Sequence, residues 1–145
     1  MTWNSNRGSG NRPQPRDSQD FNPSFNEGFN REWIVKGITP ETVTFSDKLG
    51  KFIKDKGLTT SQIRNVFGEI KRIQMKGFET EKASFYLLKP KIAYAAKRQN
   101  DLGINTLKKY FDLAHSEVSD SKSYQNFVDF FEAILGYHKS YGGKD

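Results

Sequence analysis

Thr59-Thr60-Ser61-Gln62 opens the best-marked helix of this chain. A threonine caps the free N–H groups of the first turn, and a glutamine three residues on reaches back to the threonine's own N–H; together they form a capping box. Leu58 and Ile63 stand on either side at the spacing of a hydrophobic staple. Ile63, Val66, Phe67, Ile70 and Ile73 then recur every three or four residues, so one stripe of the helix must be buried. The same period holds from Thr39 onward and no convincing alternating strand interrupts it. This restricts the chain to an all-α fold, a compact bundle of about five helices.

The other helices follow from the same signals. Thr39-Pro40 reads as an N-cap followed by proline at the first helical position, with Phe45, Leu49, Phe52 and Ile53 on the apolar face and Gly57 at the stop. A third helix is expected from about Thr80 to Gln99, with Phe85, Leu88, Ile92 and Ala95 inward. Pro90 lies within it and should kink or divide it. A fourth carries Ile104, Leu107, Phe111 and Ala114. The fifth, from about Ser121 to Tyr141, carries Tyr124, Phe127, Val128, Phe131, Ile134, Leu135 and His138, and Gly142-Gly143 ends it.

Residues 1–38 have a different composition. Asn, Gly, Ser, Pro and Arg dominate, and the apolar residues are mostly isolated aromatics. Such a stretch buries too little surface to offset its ordering entropy, which predicts a disordered polar tail ahead of a helical domain at 39–145. Phe21, Phe25, Phe29 and Trp33 nevertheless recur every four residues. That spacing leaves two readings: coincidence, or a docking segment that folds on a partner. Pro23 and Gly28 argue against a stable free helix there.

Charge is concentrated in one segment. Between Arg64 and Arg98 stand nine Lys or Arg and three acids, a net of +6 that equals the charge of the whole chain. The segments on either side nearly cancel. A solvated helical face and a footprint for a polyanion both fit this pattern. On a helical wheel Arg64 and Lys71 share a flank of the second helix, with Arg72 further toward its polar side. Lys91 and Arg98 share one flank of the third, and Lys82, Lys89 and Lys97 occupy the other. Guanidinium and ammonium groups placed in this way suit phosphate oxygens and carry no base readout. They fit recognition of backbone and shape, as an A-form duplex requires.

The fifth helix has an unusually wide apolar arc, because Phe130, Tyr137 and Tyr141 extend its core stripe. Either this helix is central or it meets another protein through those residues.

Chemistry is harder to place. The chain has no cysteine, which removes disulfides, thiolate zinc sites and a cysteine nucleophile. Its two histidines, His115 and His138, belong to no metal-ligand pattern, and His138 falls on the apolar stripe as a core or interface residue would. No phosphate-cradling glycine loop follows a strand. The residues therefore require no catalytic role, no cofactor and no metal. With no run of 18 apolar residues and no signal-like N-terminus, a soluble cytoplasmic protein is expected.

Three blocks resemble a known family. Leu58-Thr59-Thr60-Ser61-Gln62-Ile63-Arg64, Lys91-Ile92-Ala93-Tyr94-Ala95-Ala96-Lys97-Arg98, and Phe130 to Lys139 followed by Tyr141-Gly142-Gly143-Lys144-Asp145 are similar to the small helical subunit of type III-A CRISPR effector complexes, the Csm small subunit. The resemblance implies a non-catalytic RNA-binding protein of antiviral defence that self-associates in several copies along the complex. It also implies contacts with the backbone and large subunits, and with the backbone of the duplex formed by guide RNA and target RNA. By position it marks Arg64 and Arg98 for RNA contact. Lys71, Arg72, Lys89, Lys91 and Lys97 join them from the charge pattern, while Phe130, Tyr137 and Tyr141 are marked for a protein interface. Where this chain has Lys97 the family often has glycine, so a charge is added there. A helical protein–protein module whose basic segment meets acidic protein surfaces is the alternative.

Overall fold

The computed structural model describes residues 24–144. Among these residues the fold is all-α, without strands, and runs α1 Glu32–Val35, α2 Pro40–Asp55, α3 Thr60–Lys76, α4 Lys82–Tyr86, α5 Leu88–Gln99, α6 Leu102–His115 and α7 Ser121–Ser140. The helix starts follow the chemistry of their caps. Thr39 Oγ1 accepts from the N–H of Thr42 at 3.3 Å, Thr59 N–H donates to Gln62 Oε1 at 3.0 Å, and Asp101 and Asp120 carboxylates accept from Ile104 and Ser123 at 2.8 Å each. The ends use left-handed backbone: Gly57 has φ +95° and Gly142 has φ +94°, conformations that a side chain would strain.

Pro90 divides the third expected helix, and the break comes three residues ahead of it. A proline ring collides with the carbonyl four residues back, here that of Tyr86, and proline has no N–H to give. Accordingly α4 stops at Tyr86, and α5 restarts at Leu88 with Pro90 in its first turn, where no intrahelical N–H is needed.

α7 is the central helix. It packs on α2, α1 and α3, while α5 bridges α3 and α6. Its crossing with α2 is very close: a Cβ on Gly50 would lie 2.7 Å from Tyr137 Cβ and 2.8 Å from both the His138 nitrogen and the Ile134 oxygen. Rings fill the space between the helices in two groups. Phe78, Phe85, Phe111, His115, Tyr124, Phe127 and Phe131 form one, with Phe85 stacked on the His115 ring at 3.8 Å. Phe25, Phe29, Trp33, Phe45, Tyr110 and Phe130 form the other, and Phe130 meets Phe131 at 5.2 Å to join them. Each such contact adds roughly 0.5–1.5 kcal/mol to the burial of the rings themselves.

The second group corrects the expectation for the upstream segment. Residues 24–38 are packed against the bundle: Trp33 and Ile34 are buried, and Phe25 and Phe29 rest on the core. Tyr110 OH donates to the Glu27 carbonyl at 2.8 Å, Asn126 Nδ2 donates to the Ile34 carbonyl at 2.9 Å, and Arg31 pairs with Glu117 at 2.9 Å. The segment forms a strap across α2, α6 and α7, helical only at α1. The four-residue aromatic spacing thus marks a docking segment whose partner is the chain's own bundle. Residues 1–23, Phe21 among them, lie outside the described residues, as does the expectation that they are disordered.

Phe130 is corrected with it. Expected at a protein interface, it is fully buried under Phe29, Trp33 and Phe45. The wide apolar arc of α7 is explained by its central position, with the strap covering the side that would otherwise face water.

Candidate nucleic-acid interface

α3 and α5 lie side by side, and an open groove of about 900 Å³ runs between them. One wall carries Ser61, Gln62, Asn65 and Glu69, and the other carries Lys91, Tyr94 and Arg98. The helical period sets this arrangement. Leu88, Ile92 and Ala96 are the buried positions of α5. At about 100° per residue, Lys91, Tyr94 and Arg98 then fall within roughly 60° of one another, away from that stripe. The α3 wall is fixed in the same way by burial of Ile63, Val66, Ile70 and Ile73. One end of the groove is tied shut by Gln62, whose Nε2 donates to Asp101 Oδ2 at 3.2 Å and to Gln99 Oε1 at 3.4 Å.

Electrostatics divide the seven basic candidates. Arg72 is held within the protein: it donates to both oxygens of Glu69 at 3.0 and 2.7 Å and to Ser84 Oγ at 2.9 Å, and it pairs with Glu81 at 2.9 Å. The Arg72 guanidinium accordingly keeps the Glu69 and Glu81 carboxyls below their ordinary range, with Lys91 adding a longer-range pull on Glu69. This cluster clamps α4 onto α3. Lys71 pairs with Glu132 of α7. By contrast Arg64, Lys89, Lys91, Lys97 and Arg98 are exposed, and among the described residues no hydrogen bond or ion pair engages them.

Lys91 and Arg98 come together, as their shared flank predicted. Arg64 and Arg98 do not share a groove. Arg64 stands on the far side of α3, beside a second open groove of about 590 Å³ against α7, lined by Ile63, Phe67, Leu135 and Gly136. Lys89 and Lys97 project from α5 outside both grooves. Of the residues expected at a protein interface, Tyr137 is half-buried against the α2 crossing. Tyr141 is partly exposed, and its hydroxyl donates to Asp47 Oδ1 at 2.5 Å. That contact raises the phenol's pKa, because the neighbouring carboxylate disfavours a phenolate.

The structure adds a residue that charge reading passed over. Tyr94 is 67% exposed at the middle of the basic groove wall and makes no hydrogen bond or ring contact among the described residues. The sequence held a signal for it: Tyr94 is two positions from Ile92, about 200° around the helix from a core residue.

The two histidines, His115 and His138, face the core. Both are buried, and their Nε2 atoms lie 2.8 Å from the Phe85 carbonyl for His115 and 2.7 Å from the Leu58 carbonyl for His138. A carbonyl can only accept, so both rings carry the proton on Nε2. Among the described residues no group of His, Cys, Asp and Glu is placed to hold a metal ion, and no helix is long and apolar enough to cross a membrane.

Comparison with known proteins found no significant match among curated sequences or among solved structures. A family model does match: that of Csm2 Type III-A, over residues 39–144, which takes in α2 to α7 and both grooves and leaves the strap outside. The match covers well over half of the chain and agrees with the three sequence blocks and the all-α bundle. The chain belongs to the Csm2 type III-A family, the small subunits of the type III-A CRISPR-Cas effector complex.

Proposed function

We propose that this subunit is a non-catalytic RNA-binding component of its effector complex, contacting the backbone of the duplex between guide RNA and target RNA and stacking in several copies along it. The observation that carries the reading is the set of five exposed cations, Arg64, Lys89, Lys91, Lys97 and Arg98, which no carboxylate of the described residues neutralises by an ion pair. Lys and Arg without an ion-pair partner on neighbouring helices produce a field that phosphates satisfy and an apolar protein surface would not. Lys71 and Arg72, already committed to Glu132 and to Glu69 and Glu81, contribute less to that field. Sequence choice is then left to base pairing, while the protein reads backbone and shape. Each copy binds weakly alone, and repetition along the complex supplies occupancy.

A salt series tests this. With about five phosphate contacts, log K should fall against log salt with a slope of roughly −3 to −5. In an Arg64→Glu/Arg98→Glu variant the slope should flatten by about 1.5–2 while circular dichroism stays unchanged. Affinity and slope equal to those of the wild-type chain would refute the reading.

A second reading has one observation of its own. The groove between α3 and α7 is largely apolar, and with Ile63, Phe67 and Leu135 on its walls it suits a neighbouring protein chain. On this reading, loss of assembly would precede any loss of RNA. Substituting Phe67 or Leu135 by a charged residue and weighing the reconstituted complex separates the two.

A further inference from the structure

We propose that Tyr94 is a stacking platform for one unpaired RNA base, with Lys91 and Arg98 holding the phosphates on either side of it; this rests on the RNA-binding reading above. The ring projects from the middle of a groove wall, 67% exposed, with no ring or hydrogen-bond partner among the described residues. Lys91 precedes it by three residues and Arg98 follows it by four, so the two cations sit on the same face about 4.5 Å and 6 Å along the helix axis from the ring. An aromatic face between two cations is the arrangement that binds single-stranded nucleic acid: the ring takes a base and the cations take the strand on both sides. Across the groove, Asn65 is exposed and makes no hydrogen bond among the described residues, which leaves an amide with both donors and an acceptor for a base edge.

The rest of the groove favours this occupant over a protein. Thr59, Ser61, Gln62, Asn65, Glu69 and Gln99 make the lining mostly polar, and Tyr94 is the one large ring in it. A base within a continuous duplex is covered on both faces by its neighbours, so the ring can serve only a base that is single-stranded or turned out of the helix. Cations alone would bind duplex and bulge alike, whereas a stacking ring makes one unpaired nucleotide worth measurable affinity.

The test uses the full chain at low salt and two labelled RNA duplexes, identical except that one carries a single unpaired 2-aminopurine. The bulged duplex should bind about five- to a hundred-fold more tightly, and its fluorescence should be quenched on binding. Tyr94→Phe should keep both effects, and Tyr94→Ser should lose both while still binding the perfect duplex; circular dichroism confirms that the exposed substitution leaves the fold intact. Lys91→Glu/Arg98→Glu should weaken both RNAs. Equal binding of the two duplexes by the wild-type chain, or an undiminished preference in Tyr94→Ser, would overturn the stacking role. If the charge variant still loses affinity in that case, RNA binding stands without it. Failure of the wild-type chain to bind either RNA, or a charge variant that binds both as the wild type does, would overturn the two together.

Discussion

Gly50 lies where α2 and α7 touch, and adding one methyl group there should part the two helices. The new Cβ would sit 2.7 Å from Tyr137 Cβ and 2.8 Å from the Ile134 oxygen and the His138 nitrogen. Ordinary carbon contacts lie at about 3.5–4.0 Å, so the overlap is roughly 0.8 Å or more. Two of the three neighbours are backbone atoms, which no rotamer change can move aside. Relief therefore requires α2 to withdraw along the seam that buries Phe45, Leu49 and Ile53. A gap of that size forfeits about a quarter to a half of the dispersion energy of each contact across it. Overpacking of a core costs about 1–3 kcal/mol, and backbone neighbours put this case at the upper end. Against that stands a gain of about 1 kcal/mol for alanine over glycine inside a helix. The net loss is then about 2 kcal/mol. Gly68 of α3 and Gly136 of α7 are internal controls, because a Cβ at either meets nothing within 4 Å. Gly68→Ala and Gly136→Ala keep only the helical gain and should stabilise by about 0.5–1 kcal/mol. Thermal melts followed by far-ultraviolet circular dichroism read this directly, at about 4 °C per kcal/mol for a domain of this size. Gly50→Ala should melt about 8 °C lower and the controls a few degrees higher. If all three variants moved upward together, the close crossing of α2 and α7 would be refuted.

Phe130→Ala removes the ring that joins the two aromatic groups and should cost about 3–5 kcal/mol in urea unfolding, and Trp33→Ala a comparable amount; a loss below 1 kcal/mol at Trp33 would mean that the strap does not pack. His115 gives a pH dependence. Burial lowers its pKa below the ordinary 6.5, opposed by its hydrogen bond to the Phe85 carbonyl. As pH falls through 6.5 the unfolded chain takes up a proton that the folded chain refuses, so this contribution to stability is whole above that pH and declines below it. Melting temperatures from pH 7.5 down to 5 should fall, and fall less steeply in His115→Gln. Arg72→Met dissolves the bonds to Glu69, Glu81 and Ser84 and should loosen α4, which Phe85 still anchors in the core, while leaving α3 folded; amide exchange would show this as faster exchange confined to α4 and the loop before it.

What the sequence made legible was local. The caps at Thr39 and Thr59, the stops at Gly57 and Gly142 and the stripes of α3, α6 and α7 rest on interactions within a few residues, and a linear reading captures those. Pro90 announced a break but not its place, because the clash is with a carbonyl four residues upstream. The strap was misread because much of the cover over its aromatics comes from α6 and α7, which follow much later in the chain; Asn126 holds the Ile34 carbonyl across 92 residues. Phe130 was misassigned for the same reason, its cover being the strap. At the candidate site, periodicity placed Lys91 and Arg98 together. It could not tell that Arg72 faces Glu81 at the start of α4, nor that α3 separates Arg64 from Arg98. Tyr94 was within reach of a helical wheel, but a search by charge does not ask about rings.

The strap also sets an order of events during synthesis. α7 leaves the ribosome after every helix it packs against, and α2 and the strap find their main partner in it. Trp33, Ile34, Phe45 and Leu49 therefore lack their main cover while roughly ninety further residues are made. At translation rates of about 5–20 residues per second this is roughly 5–20 seconds. α3, α5 and α6 pack among themselves and can settle in the meantime. Until α7 arrives, the strap and α2 present aromatic surface of the kind that chaperones hold and that aggregates when they do not. Closure of the strap and α2 onto α7 is the step that covers that surface.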